Sequence, residues 1–129
     1  MSLFGNVIST YSRAEAIADG VLIDAPLNGL AKEAGIRFHC AMTAGLFGAI
    51  NPNSDESKMG QDLDGRLWDM LTMFKLAARK SQGSEIRFSF LIQRIHWRKP
   101  ILMEVIAHCG PGDNLEPVIT FMLPERGES

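Results

Sequence analysis

Disulfide-forming capacity is nearly absent from this sequence, which has two cysteines, Cys40 and Cys109, among 129 residues. Two widely separated cysteines make no disulfide framework, so the hydrophobic core must carry stability, and a reducing, cytoplasmic compartment is expected. There is no apolar run near the roughly 20 residues needed to cross a bilayer, which argues against a membrane partner. The opening Met1-Ser2-Leu3-Phe4-Gly5-Asn6 has no basic stretch ahead of a long apolar one, so no secretory leader is expected. A formal net charge of −2 is too small for a generally nucleic-acid-binding or membrane-binding surface. Internal repeats and low-complexity segments are lacking as well.

What is present is ordinary globular material. With 46% hydrophobic and 22% charged residues, disorder along the whole chain is excluded. The length suits one domain, 1–129, able to bury about two-thirds of the surface of its unfolded chain.

The first helix is marked by its cap. Ser12 and Glu15 form an S-x-x-E box, Ala14, Ala16, Ile17 and Ala18 follow, and Gly20 supplies the stop. Val21-Leu22-Ile23 reads as a strand stub. Pro26 breaks the chain, and a short helix over 27–34 is closed by Gly35. Ile36, Phe38 and Cys40 alternate with Arg37 and His39, the period of a half-buried strand. Thr43 caps a helix to Ile50, despite Gly45 and Gly48. The polar run from Asn51 to Lys58 reads as a turn-rich mobile loop over about 51–60.

Leu63, Leu67, Met70, Leu71, Phe74 and Ala78 then mark one stripe of a long helix over about 62–80. Three strands follow. In the first, Ile86, Phe88, Phe90 and Ile92 face one way, and Arg87, Ser89 and Gln93 the other. The second spans 101–109 and is apolar on both faces, as an interior strand would be. The third spans 118–123 and is stopped by Pro124; the tail 125–129 is expected to fray. Connections this short demand antiparallel pairing. The expected fold is α+β: a three- to four-stranded, mainly antiparallel sheet with a C-terminal meander, and helices packed on one face.

The sharpest local feature is Arg94-Ile95-His96-Trp97-Arg98-Lys99, expected as the exposed tip of a hairpin. It concentrates three full positive charges around an indole, in a chain that is acidic overall. Such a tip could meet an acidic protein patch, since Trp and Arg dominate interface energetics. It could instead contact phosphates and stack a base on Trp97. One hairpin, however, supplies few of the phosphate contacts that nucleic-acid affinity needs, and the simpler alternative is a solvated turn.

His39-Cys40 and His108-Cys109 offer the residue types of a zinc site. Adjacent strand residues point to opposite faces, so neither pair can aim both side chains at one metal. No metal and no cofactor is expected, and both cysteines read as small buried apolar groups. Asp62, Asp64, Arg66 and Asp69 gather near the start of the long helix, where acidic residues complement its dipole. Together with Asp113 they could form a small enzymatic site only if the Gly110–Asn114 turn lies beside that helix start. Gly110-Pro111-Gly112-Asp113 lacks the Lys-Ser/Thr of a phosphate loop and precedes a strand, so it reads as a tight turn. No nucleophile elbow or zinc-protease helix is visible.

Three stretches carry a resemblance: Tyr11 through Asp24, Gln61 through Leu71, and Cys109-Gly110-Pro111-Gly112-Asp113 with Pro117 through Pro124. On these the chain resembles an uncharacterised family of small bacterial proteins often carried on plasmids, phages and other mobile elements. That resemblance implies an accessory role, such as countering host defence or aiding plasmid maintenance, and brings no reaction or catalytic residue with it. The expected function is a non-enzymatic binding module contacting a host protein through Arg94, His96, Trp97, Arg98 and Lys99. A nucleic-acid-binding hairpin and a small enzyme using Asp64, Arg66, Asp69 or Asp113 are the alternatives. The oligomeric state is left open.

Overall fold

A computed structural model describes residues 11–58, 62–93 and 99–124. The order of elements is α1 (Arg13–Ala18), β1 (Leu22–Ile23), α2 (Ala25–Glu33), β2 (His39–Thr43), α3 (Ala44–Ile50), α4 (Ser54–Lys58), α5 (Leu63–Ala78), β3 (Glu85–Ile92), β4 (Ile101–Pro111) and β5 (Pro117–Met122). The strands form one five-stranded mixed sheet in the order β1-β2-β5-β4-β3.

The local signals account for most element ends. Ser12 accepts from the Glu15 amide while the Glu15 carboxylate accepts from that of Ser12, a complete capping box on α1. Thr43 and Asp62 cap α3 and α5 in the same manner, each accepting from a backbone N–H three residues on. Gly20 and Gly35, just past α1 and α2, adopt φ of +80° and +89°, the left-handed conformation that glycine takes without a Cβ clash.

The C-terminal meander is present: β3 pairs antiparallel with β4, and β4 with β5. The remainder of the sheet differs from expectation. Instead of three or four strands there are five, and β2 runs parallel to β5, joined by a connection that contains α3, α4 and α5. A crossover that long permits the parallel pairing that tight turns forbid.

Strand β2 begins at His39, later than the alternation from Ile36 suggested. Phe38 is 48% exposed, whereas Cys40, Ala41 and Met42 are fully buried. Three consecutive buried residues mean that both faces of β2 are covered there, which erases the period-two signal. Pro26 starts α2 rather than preceding it; in the first turn its missing N–H forfeits nothing.

Alternation divides the sheet into two faces. Cys40 and Met42 (β2), Ile119 and Phe121 (β5), Val105 and Ala107 (β4), and Ile86, Phe90 and Ile92 (β3) enter the main core. Leu27 and Ala31 of α2, Leu46 and Ile50 of α3, and Leu67, Met70, Leu71 and Phe74 of α5 cover them. Phe74, Phe88 and Phe121 stack there, with Phe74 edge-on to Phe121 at 5.2 Å between centroids. The helices are not confined to that face. The Arg13 side chain of α1 bonds to Thr120, whose side chain alternates to the opposite side from Ile119 and Phe121.

Within the loop expected over about 51–60, Ser54–Lys58 folds as α4. Asn53 and Glu56 form a second reciprocal capping box at its start. Glu56 is fully buried, and its carboxylate lies 3.4 Å from Arg66. Arg66 in turn donates to the carbonyls of Ile50 at 2.7 Å and Gln93 at 3.0 Å. One guanidinium thus joins the end of α3, α4, α5 and the end of β3.

Removing one member of a buried ion pair leaves the other charge uncompensated. Arg66→Met is expected to cost about 3–5 kcal/mol in urea unfolding. A cost under about 1 kcal/mol, the range of an exposed pair, would show that the pair is solvated in solution.

Candidate interaction site

Two regions gather side chains capable of recognition, and they lie at different places on the sheet. The first surrounds Arg13. Its Nε donates to His39 Nδ1 at 3.3 Å, Nη1 donates to Thr120 Oγ1 at 2.7 Å, and Nη2 donates to the Ile119 carbonyl at 3.1 Å. His39 Nε2 lies 3.2 Å from Asp24 Oδ2. An arginine Nε–H only donates, so His39 Nδ1 accepts and its ring proton sits on Nε2, directed at Asp24. Both ring nitrogens are thereby occupied by protein partners, and neither is left to take a proton from a substrate.

Asp113 closes the same cluster. Its two carboxylate oxygens accept from the Arg13 and Ala14 amides at 2.8 and 3.0 Å, across about a hundred residues of sequence. Those donors hold its carboxyl below the ordinary carboxylate value. Burial lowers the Arg13 pKa, against the opposing charges of Asp113, Asp24 and Glu116. The cluster fastens α1 and the β4–β5 turn to the sheet.

The cysteines lie on the core side. Burial pushes the Cys40 thiol up to about 12 and raises that of Cys109, so neither carries the thiolate a nucleophile needs. Cys40 faces the core while His39 faces Asp24, the divergence expected of strand neighbours. His108 pairs with Thr120 on the face opposite the core and is exposed.

The second region is the far edge of the sheet. Among the described residues β3 pairs only with β4, so its other side offers eight residues of backbone without a strand partner. The opposite edge, β1, is only two residues long. Two cavities run along β3. One of about 450 Å³ is lined by Asp69, Thr72 and Met73 of α5 with Ser89, Phe90, Leu91 and Leu102. The other, about 520 Å³, is lined by Asp62, Gly65, Arg66, Trp68 and Asp69 with Leu91, Ile92 and Gln93. They share Asp69 and Leu91 and form one trough between α5 and the strand edge.

Its rim is apolar to an unusual degree. Leu91 and Leu102 are directly paired across β3 and β4 and are 57% and 62% exposed. Trp68, Met73 and Leu76 on α5 are exposed as well. Large apolar side chains scattered singly are normal, but a group bordering one unpaired edge is a mark of contact surfaces. The charges directed at the trough are those of Asp62 and Asp69, because the Arg66 guanidinium is turned inward to Ile50, Gln93 and Glu56.

The sequence-predicted residues are distributed as follows. Arg94, His96, Trp97 and Arg98 lie outside the described residues. Lys99 is an exposed bend before β4. Asp64 is exposed in the first turn of α5, Asp69 lines the trough, and Arg66 is buried beneath it. Asp113 is not with them. The start of α5 meets Leu91–Gln93, whereas Asp113 follows the end of β4 that pairs with Glu85, roughly 30 Å away along the strands. Among the described residues no group of three His, Cys, Asp or Glu side chains converges as a metal site would.

Sequence reasoning missed the trough, although signals existed. Leu91 sits in register with Arg87, Ser89 and Gln93, an apolar residue on the polar side of its strand. Trp68 lies off the buried stripe of α5.

The fold and its edge define a class: a small α+β domain with a mixed sheet whose β3 edge, among the described residues, has no strand partner and lies beside a helix. The chain belongs to a family of unknown function, DUF6573, which matches residues 2–127. No curated protein and no solved structure matches it. Among the described residues no helix is long and apolar enough to cross a membrane.

Because folded Asp113 holds its proton less tightly than the unfolded chain does, its contribution to stability is complete above the ordinary carboxylate value of about 4. That contribution is lost as pH falls through the lowered folded value. Asp113→Asn is expected to reduce Tm at neutral pH and to flatten its decline in acid. Thermal unfolding across the acid range checks both, and wild-type and variant curves that stay parallel would exclude the carboxylate's role. In the native protein Cys40 is expected to resist iodoacetamide at mildly alkaline pH, as mass spectrometry after quenching will read.

Proposed function

We propose that this protein is a non-enzymatic protein-binding module whose contact surface is the trough between α5 and the open edge of β3. The observation that carries the reading is the coincidence of Trp68, Met73, Leu91 and Leu102, all exposed, with an eight-residue strand edge that has no described partner strand. An edge of that length is a template for pairing with another chain unless something covers it. Its own outer-face charges lie toward one end, where Arg87 is held by Glu85 at 3.3 Å.

The groups best suited to chemistry favour binding over catalysis. His39, Arg13, Asp24, Asp113 and Thr120 bond to one another and to backbone, and the arginine of the acidic cluster serves the core. The resemblance to proteins of mobile elements suits an accessory role in which the partner is a host protein.

Trp68→Ala with Leu91→Ser is expected to abolish capture of a specific host protein by the immobilised chain while the far-UV spectrum and Tm stay near wild type. Undiminished capture by the double variant would refute the placement of the surface.

A further inference from the structure

Building on that reading, we infer that the occupant of the trough is an extended segment of a partner protein, with cationic and apolar side chains in alternation, that adds to the sheet as a sixth strand beside β3.

Three features of the trough define this chemistry. The first is the backbone. The cavity floor includes Ser89, Phe90, Leu91 and Ile92, consecutive residues of β3 that among the described residues have no strand partner on that side, so an occupant must meet main-chain donors and acceptors. An extended chain satisfies such a row, and a helix or a small apolar molecule does not.

The second is the alternation of side-chain direction. On the face away from the core, Leu102 and Leu91 stand side by side on β4 and β3. A new strand residue opposite Leu91 continues that row as a third apolar member, the same-face pairing that stabilises sheets. Its sequence neighbours point to the other face, where the α5 side of the trough presents Trp68, Asp69 and, at its far end, Asp62. Lysine or arginine there lays its alkyl stem along Trp68 and brings its charge to the carboxylates.

The third is charge. Among the described residues that line the trough the one cation is Arg66, and it is committed to Ile50, Gln93 and Glu56. Glu104, paired with Ser89 on the outer face, is exposed and adds to the same sign. A second copy of this chain is a poorer occupant, since antiparallel pairing of two β3 edges along their length sets the Leu91–Ile92 end of each against the Glu85–Ile86 end of the other and puts Glu85 or Arg87, not an apolar residue, opposite Leu91. The Asp62 and Asp69 carboxylates likewise disfavour a polyanion such as nucleic acid in the trough.

The probe is a fluorescein-labelled peptide of about ten residues alternating Lys and Val, long enough to span β3. It is measured against the intact chain by anisotropy, with amide hydrogen exchange read on β3. Two control peptides replace every Lys by Glu, or every second Val by Pro, which cannot donate a backbone hydrogen bond. Binding of the Lys–Val peptide with slowed exchange over 86–92 is expected, weakened by roughly tenfold or more by Asp69→Lys and by either control. Asp69 is exposed, so Asp69→Lys is expected to keep the wild-type Tm.

Absence of binding, equal binding of the Glu–Val or proline peptide, or unchanged exchange in β3 would each overturn the strand-addition proposal. So would sedimentation showing a dimer that Leu91→Ser dissolves, which would make the occupant a second copy. Host-protein capture that still depends on Trp68 and Leu91, with no peptide bound, would overturn the strand chemistry and leave the protein-binding surface standing.

Discussion

The geometry of this domain depends on one buried guanidinium. Arg66 sits on the core-facing side of α5, one turn from Leu63 and Met70, at a position where an apolar residue would ordinarily stand. It satisfies the carbonyl at the end of α3 and the carbonyl just past β3, and it neutralises a fully buried Glu56. Those contacts join parts of the chain that share little apolar area, since α4 is a five-residue helix with a polar sequence. An arginine suits the task because its planar fork of donors can reach several acceptors at once and stays charged when buried. Hydrophobic burial supplies most of the stability of such a domain, but this pair ties the start of α5 to the end of β3.

That placement has a consequence for the surface. With α5 held across the end of β3, the exposed side of the helix and the side of the strand that has no partner among the described residues become the two walls of one trough. The sheet thereby acquires two unlike edges. β1, only two residues long, leaves little backbone to pair. β3 is long, straight in its pairing with β4 over all eight residues, and bordered by leucines. Natural edges are usually blunted by brevity, bulges or inward charges, and few of those devices operate on β3. Among the described residues no strand covers that edge, which runs beside exposed Trp68 and Leu91.

The polar cluster around Arg13 shows the opposite economy. Nearly every hydrogen-bonding group it contains meets a partner from the same chain, and those partners come from α1, β2, β5 and the turn before β5. Its residues have the chemical repertoire of an active site, yet their geometry turns it to holding elements together. Residue type alone does not separate these two uses; the direction of each donor and acceptor does.

Periodic and capping signals were legible in the sequence because they act over three or four residues. The Ser12–Glu15 box, the Thr43 cap, the α5 stripe and the alternation of β3 each placed an element close to where it lies. The sequence also made Cys40 apolar in character and separated it from His39. Only tertiary structure decided the parallel pairing of β2 with β5, because that contact spans the whole central part of the chain and leaves no local trace. It alone decided that Asn53-x-x-Glu56 caps a helix, since the burial of Glu56 depends on an arginine ten residues away. It alone decided, too, that Asp113 joins α1 rather than the start of α5, and that Leu91, Leu102 and Trp68 share one edge. Local preferences fix what each segment becomes, while long-range packing fixes which segments meet, and a binding surface belongs to the second kind of information.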